Sequence, residues 1–371
     1  MTGSEVIIIA VGDICLGDHY FSMGHGVGSV SKKIGLESIF EEVRHIFQNG
    51  HIVFGNLECV LSNSTQRISI VEKNVFRGIP QFTKDLRKIG FNILNIANNH
   101  ILQHEIDAFW ETISALENAG ITPLGLAGSG QFSSIPVIKR INGLMIGFLG
   151  YSLVPEKYCP KQKLYAQGPL DAIFSDVGKL SKETDITIVS LHFGDEGMQI
   201  PSPFAISCAR QIIKQGAKVV LGHHPHIFQP VEKYKHGLIF YSLGNFIFDL
   251  FWYPPLVHSA IVKISIGLSS KELNYSIYPI ELTHDYRTVL LNQKDSCQFK
   301  NELEQSATKV LCEDFELYSL FYKKELDKME KILQRKKIIY FLSNFWRGNN
   351  LLKTKFLINK FMSCLRNNLE I

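Results

Sequence analysis

A chain of 371 residues with 45% hydrophobic and 20% charged residues can bury the core of one large domain plus an appendage, and is too apolar for disorder throughout. Its net charge of +4, from 39 Lys and Arg against 35 Asp and Glu, does not mark a polyanion-binding protein as a whole. The charge is unevenly placed: residues 331–371 hold nine basic residues against Glu370, a net +8, which leaves residues 1–330 at −4.

Along the first two-thirds, short β-branched runs alternate with amphipathic stretches. Strands are expected at 6–11 (VIIIAV), 52–54 (IVF), 92–97 (NILNIA), 186–191 (ITIVSL), 218–221 (KVVL) and 238–243 (LIFYSL), and helices over 36–48, 105–119 and 204–215. That alternation predicts an α/β layered fold. Asn142-Gly143, between apolar runs at 136–141 and 144–149, suits a type I′ hairpin, and 260–266 with 273–282 reads as a closing strand pair. The sheets are therefore expected to be mixed, in a two-sheet sandwich with helices outside. The run at 6–11 lacks a basic flank and is too short for a signal peptide or a span, and no stretch of eighteen apolar residues occurs. Seven cysteines without a CxxC pair fit neither a disulfide framework nor a thiolate zinc site, which points to the cytoplasm.

Beyond about residue 295 the composition changes to Leu, Tyr and Phe at helical spacing among mixed charges, followed by the basic tail. The expected division is a body over 1–295 and a helical basic extension over 296–371. A helix over 351–366 would set Leu351, Leu357, Ile358, Phe361, Met362 and Leu365 on one face, with Lys353 and Lys360 opposite. Such a helix suits peripheral contact with an anionic membrane, here the inner membrane, through 331–371, or docking onto the body.

The chemistry lies at the carboxyl end of each strand: GDICLGD at 12–18, GNLE at 55–58, NNH at 98–100, HFGDE at 192–196, GHHPH at 222–226 and GN at 244–245. In layered α/β sheets that end of the strands is where ligands bind, so these groups are expected to converge. Asp, Glu, Asn and His without Cys make a nitrogen and oxygen shell for zinc, manganese, iron or magnesium. Asp13 and Glu58 are the leading carboxylates, Asn99 would add a neutral oxygen, and His192, His224 and His226 would add imidazoles. A single Gly-Asp or Asn-Asn after a strand often serves only as a turn or cap. Three imidazoles in 223–226 have few structural uses. The chain has no GxSxG, no Walker loop and no GxGxxG opening a helix, which disfavours serine hydrolases, P-loop enzymes and dinucleotide dehydrogenases.

The ordered set of motifs, extended by GHHPHIFQPVE at 222–232 and YSLGNFIFD at 241–249, resembles the CapA (PgsA) family of capsule or poly-gamma-glutamate biosynthesis proteins over roughly residues 5–285. That family's fold is similar to that of calcineurin-like metallophosphoesterases. The resemblance implies a four-layered α/β/β/α sandwich carrying two divalent metal ions, Zn, Mn or Fe, on loops at one end of the sheets. It implies metal ligation by Asp13, Glu58, Asn99, His192, His224 and His226, and a general-acid role for His100. Asn56, Glu196, His223 and Asn245 would stand beside the ligands or at the substrate. Two residues depart from the family pattern: Gln103 replaces the Asp of NNH-x-x-D, and Phe193 replaces a Trp.

The function implied is a metal-dependent hydrolase in capsule or poly-gamma-glutamate type envelope polymer biosynthesis, acting on an anionic polymer or a phosphorylated substrate. Gln103 keeps open a second function, a non-catalytic polymer-binding or export accessory of a capsule synthesis complex. A nucleic-acid partner is not expected, because one basic segment without a reading motif is weak grounds.

Overall fold

A computed structural model describes residues 5–67, 69–129, 133–310 and 314–369, the side chains of 309, 310 and 360–369 excepted. One sheet runs in the order Thr288–Leu290, Leu273–Leu282, His258–Gly267, Glu5–Ile14, Ile52–Leu57, Ile93–Asn95, Thr122–Leu124, with Asn245–Ile247 paired to the end of Glu5–Ile14. Its last four strands are mutually parallel, and the chain closes the other edge with the antiparallel hairpin His258–Gly267 and Leu273–Leu282. The second sheet runs Val231–Tyr234, Gly237–Phe240, Val219–His223, Ile186–His192, Leu144–Ser152, Val137–Ile141, again with a parallel centre and antiparallel edges. The hairpin turn Asn142-Gly143 has φ of +48° and +89°, as a type I′ turn requires.

The period-2 alternation along each strand decides the layers. From the first strand, Val6, Ile8 and Ala10 meet Phe148, Ile188 and Leu221 of the second sheet in the core between the sheets. Ile9 and Val11 face the other way, against the helices that cover the first sheet. Helices Leu170–Glu183 and Pro203–Lys214 cover the outer face of the second sheet, where Val189, Val220 and Tyr241 pack against Val177, Ile206 and Ile212. The result is the expected α/β/β/α sandwich.

Three expectations need correction. The stretch 36–48 forms two short helices, Leu36–Ile39 and Arg44–Phe47, because the chain turns between them, where the Val43 N–H donates to the Phe40 carbonyl at 3.2 Å. The run 238–243 stops as a strand at Phe240, after which the chain crosses to the first sheet and pairs Asn245 with Asp13. In the tail helix Asn350–Leu369, the face expected to be solvated is the docked one. Leu352 is 6% exposed and Lys353 is fully buried, whereas Leu351, Leu357 and Ile358 are 64%, 42% and 55% exposed. The Lys353 ammonium donates to the carbonyls of Asn344 and Arg347 at 2.6 and 2.8 Å, satisfying the end of the preceding helix Phe315–Ser343. The side chains of Lys360, Phe361, Met362 and Leu365 lie outside the described residues.

The C-terminal helix Gln293–Val310 packs through Phe299 and Leu303 against the edge of the core between the sheets, and Phe315–Ser343 and Asn350–Leu369 pack across both outer layers. Tyr318 and Tyr322 join the core of the second sheet's helices, and Leu333 and Leu352 join that of the first. Among the described residues no helix is long and apolar enough to cross a membrane.

Candidate metal centre

Strand register brings the motif residues side by side. Asp13 pairs with Asn56 on one side and Asn245 on the other, Asn56 pairs with Asn95, and in the second sheet His192 pairs with His223. The segment 241–244, which crosses from the second sheet to the first, passes close to both. A Cβ on Gly12 would lie 1.9 Å from the Gly244 carbonyl oxygen, and one on Gly222 would lie 2.0 Å from that of Tyr241. Neither glycine has positive φ, so close approach of backbone, rather than turn strain, is what requires them.

Asp13 is fully buried. Its Oδ1 accepts from Asn56 Nδ2 at 2.8 Å and lies 3.3 Å from His223 Nδ1; its Oδ2 accepts from the His224 backbone N–H at 3.3 Å and lies 3.1 Å from His226 Nδ1. Burial pushes the Asp13 carboxyl up, but the hydrogen bonds and charges of His223 and His226 outweigh it and hold the group well below the usual carboxylate range. His226 is held above its ordinary value, its burial being outweighed by Asp13.

Glu58 is the contrasting carboxylate. It is fully buried, and among the described residues neither oxygen has a hydrogen-bond partner. Around its Oε1 stand the Nε2 atoms of His192 at 3.6 Å, His226 at 3.8 Å and His100 at 4.0 Å. Burial, then the charge of Asp13, push this carboxyl well above the usual range. Burial also pushes His192 well down and His224 down to about 4, so both imidazoles are neutral, the form that binds metal. Asn99 Oδ1 lies 2.7 Å from His192 Nε2.

Two groups of ligand atoms, each within 4.8 Å of one another, emerge: Glu58 with His224 and His226, and Asp13 with Glu58 and His192. A buried carboxylate without partners costs several kcal/mol, and a cation among neutral imidazoles removes that cost. The donor set therefore fits a divalent metal. His224 and His226 hold φ of +98° and +61°, conformations that side chains other than glycine rarely adopt. Strain of this kind persists where surrounding structure fixes it, commonly at ligand sites.

His100 sits beside this cluster, its ring stacked on Phe76 with centroids 4.3 Å apart. His100 Nδ1 lies 2.8 Å from Gln103 Oε1, and Gln103 Nε2 donates to Tyr20 Oη at 3.3 Å. The residue that replaces the family's Asp thus still orients the imidazole, without adding charge. Burial pushes His100 down to about 4, opposed by the Gln103 hydrogen bond.

Of the residues expected beside the ligands, Asn56 holds Asp13 and is itself held by Asn95 Nδ2 at 2.8 Å, and Asn245 Oδ1 is 3.0 Å from His226 Nδ1. His223 faces Asp13. Glu196 pairs with Lys337 Nζ at 3.6 Å, on the helix Phe315–Ser343, and its charge also acts on His226, His224 and His100. Sequence reasoning missed Phe76, Tyr20 and Lys337. Phe76 and Lys337 come from segments outside the motifs, and Tyr20, two residues beyond the motif at 12–18, carries no metal-binding group.

Residues 7–250 match the family model described as bacterial capsule synthesis protein PGA_cap. The chain is 28% identical to the capsule biosynthesis protein CapA of Bacillus anthracis, over 90% of this chain and 79% of that protein. It is 32% identical to the PGA biosynthesis protein CapA of Bacillus subtilis, over 62% of each. Among solved structures, a putative 5′-nucleotidase from Staphylococcus aureus aligns over 81% of this chain and 58% of that one, at 12% identity and a TM-score of 0.49. With its strand-end motifs assembled at one end of the sandwich and two-thirds of its length matched, the chain belongs to the PGA_cap family of bacterial capsule synthesis proteins.

Proposed function

We propose that this protein is a metal-dependent hydrolase of capsule or poly-gamma-glutamate type polymer biosynthesis, cleaving a phosphoester or an amide of an anionic substrate. The observation that carries the reading is the buried Glu58 carboxylate, unpartnered and surrounded by three imidazoles. Glu58 is shared by both ligand groups, which suits a bridging role between two ions. Asp13, Asn99 and His192 would hold one side, and His224 and His226 the other. Two divalent ions at such a site supply Lewis acidity and water activated near neutral pH.

The chain's own residues do the rest. Asn56 and His223 fix the Asp13 carboxylate, and Asn245 fixes His226. His100, with Nδ1 turned to Gln103, presents Nε2 on the Glu58 side, where its protonated form would donate to the departing atom. The reading assigns residues 1–295 as the hydrolase body and 296–371 as an extension whose exposed apolar and basic face contacts an anionic membrane surface.

Gln103 favours a second reading, a polymer-binding or export accessory of a capsule synthesis complex. A neutral amide supports an imidazolium less than a carboxylate does, so His100 is a weaker acid catalyst than in relatives with Asp at this place.

Elemental analysis of the purified chain tests the centre: about two transition-metal ions per chain are expected, with loss in Glu58→Gln and in His224→Ala. A metal-free protein indifferent to added zinc, manganese or iron would overturn the hydrolase. With metal bound, His100→Ala should cut turnover of phosphomonoester, phosphodiester or gamma-glutamyl probes by about 10²- to 10⁴-fold. A metal-loaded wild type inert on all three would leave the accessory reading.

A further inference from the structure

A cavity of about 750 Å³ lies between loop 19–21, segment 69–72 and the two last helices. Its walls are largely apolar, with Tyr20, Phe21, Phe341, Leu342, Phe356 and Leu357 among them, and His19, Ser69 and Asn359 add polar groups. The charged side chains of the lining are Lys337 and Glu72. This volume is in the range of pockets that enclose small ligands.

The cavity wall is linked to His100 through the ring of Phe76. Phe76, stacked on the His100 ring, also lies edge-on to His19 and Tyr20 of the cavity wall, at 5.3 and 5.7 Å between ring centroids. Tyr20 Oη accepts the hydrogen bond from the amide that orients His100. At the mouth, Ile338, Leu342 and Leu357 are left 61%, 59% and 42% exposed. A strand of poly-acidic polymer laid here would set more carboxylates and amides against the apolar wall than His19, Ser69, Lys337 and Asn359 could partner, at a cost of several kcal/mol for each one left over. An alkyl chain meets no such cost, and Lys337 suits the anionic end of the same molecule.

We propose that this cavity holds the alkyl chain of a phosphorylated amphiphile, a phosphoester of a long-chain alcohol whose phosphate reaches the candidate metal centre. The inference rests on the hydrolase reading, which puts the departing group on the side of His100, linked to the cavity wall through Phe76. Hydrolysis breaks the bond from phosphorus to the alkyl oxygen and joins the oxygen of water to phosphorus. The proton from His100 goes to the departing oxygen, so the products are the long-chain alcohol and inorganic phosphate.

Titration calorimetry of the full chain, stripped of metal by chelation, reads the cavity apart from turnover. Octyl, decyl and dodecyl phosphate, each below its micelle concentration, should bind one saturable site. Affinity should rise about three- to fourfold for each added methylene. Leu342→Trp and Leu357→Trp replace exposed wall residues with bulkier ones, and each should weaken decyl phosphate at least tenfold with the circular dichroism spectrum unchanged. Inorganic phosphate alone should not compete at the stripped site. Competition by phosphatidic acid vesicles identifies a bilayer lipid as the source of the chain, and its absence a free amphiphile; the cavity assignment stands in both. Binding that does not saturate, ignores chain length or ignores both Trp variants overturns the assignment. Metal content and the His100→Ala assay judge the hydrolase reading separately.

Discussion

Asp249, the last residue of the motif at 241–249, shows how a buried carboxyl can serve the fold rather than the metal. It accepts hydrogen bonds from the His19 backbone N–H at 3.0 Å and from the Ser22 hydroxyl, fixing the loop that walls the cavity. Burial, then the charge of Asp18, push its carboxyl up to about 7, against 3.8 for an ordinary Asp. The folded state therefore binds this proton more tightly than the unfolded chain. The stabilisation is complete below about pH 4 and is lost as pH rises through about 7. Asp249→Asn keeps an acceptor and removes the titration. Denaturant midpoints followed from pH 4 to 7 should fall more steeply in wild type than in the variant, by up to about 4 kcal/mol. Parallel profiles would contradict the assignment.

At the scale of elements, the last two helices are joined end to side. Lys353 satisfies carbonyls at the end of one helix while Leu352 anchors the next, so Leu351, Leu357 and Ile358 of the expected apolar face are left exposed. Ile339, Trp346 and Leu351, 52%, 79% and 64% exposed, extend that surface without lining the cavity. Arg335, Lys336, Lys337 and Arg347 lie among them in sequence. The full chain is expected to co-sediment with vesicles containing anionic lipid and not with purely zwitterionic ones. Ile339→Glu, Trp346→Glu and Leu351→Glu combined should reduce that binding at least tenfold and leave decyl phosphate binding intact. Equal sedimentation of the variant and wild type would exclude this face.

For the molecule as a whole, the metal centre depends on how closely the crossing segment 241–244 passes the first strand. The Gly244 carbonyl accepts from Asp13 N–H at 2.8 Å, and the space above Gly12 is filled by that carbonyl. Gly12→Ala forces backbone apart rather than a flexible side chain. It should cost about 3 kcal/mol or more, or prevent folding, as seen by the denaturation midpoint or by soluble yield. An alanine variant of near wild-type stability would mean that the crossing segment moves away easily, and would leave the Asp13 geometry unexplained.

The α/β class, the strands and the strand-end chemistry were legible in the chain because they are local. Alternation with period 2 marks a buried strand wherever it occurs, and Asp13, Glu58, Asn99, His192, His224 and His226 each come just after such a run. The motifs in order also carried the family resemblance. Tertiary structure alone decided that Glu58 has no hydrogen-bond partner among the described residues, that Gln103 still orients His100, and that Glu196 pairs with Lys337. It also decided which face of the tail helix is covered, and so created the cavity whose wall is linked to His100 through Phe76. Those outcomes depend on contacts between segments tens to hundreds of residues apart, such as Gln103 with Tyr20 and Glu196 with Lys337. No periodicity within either segment records such a contact, because the free energy that selects it belongs to the pair.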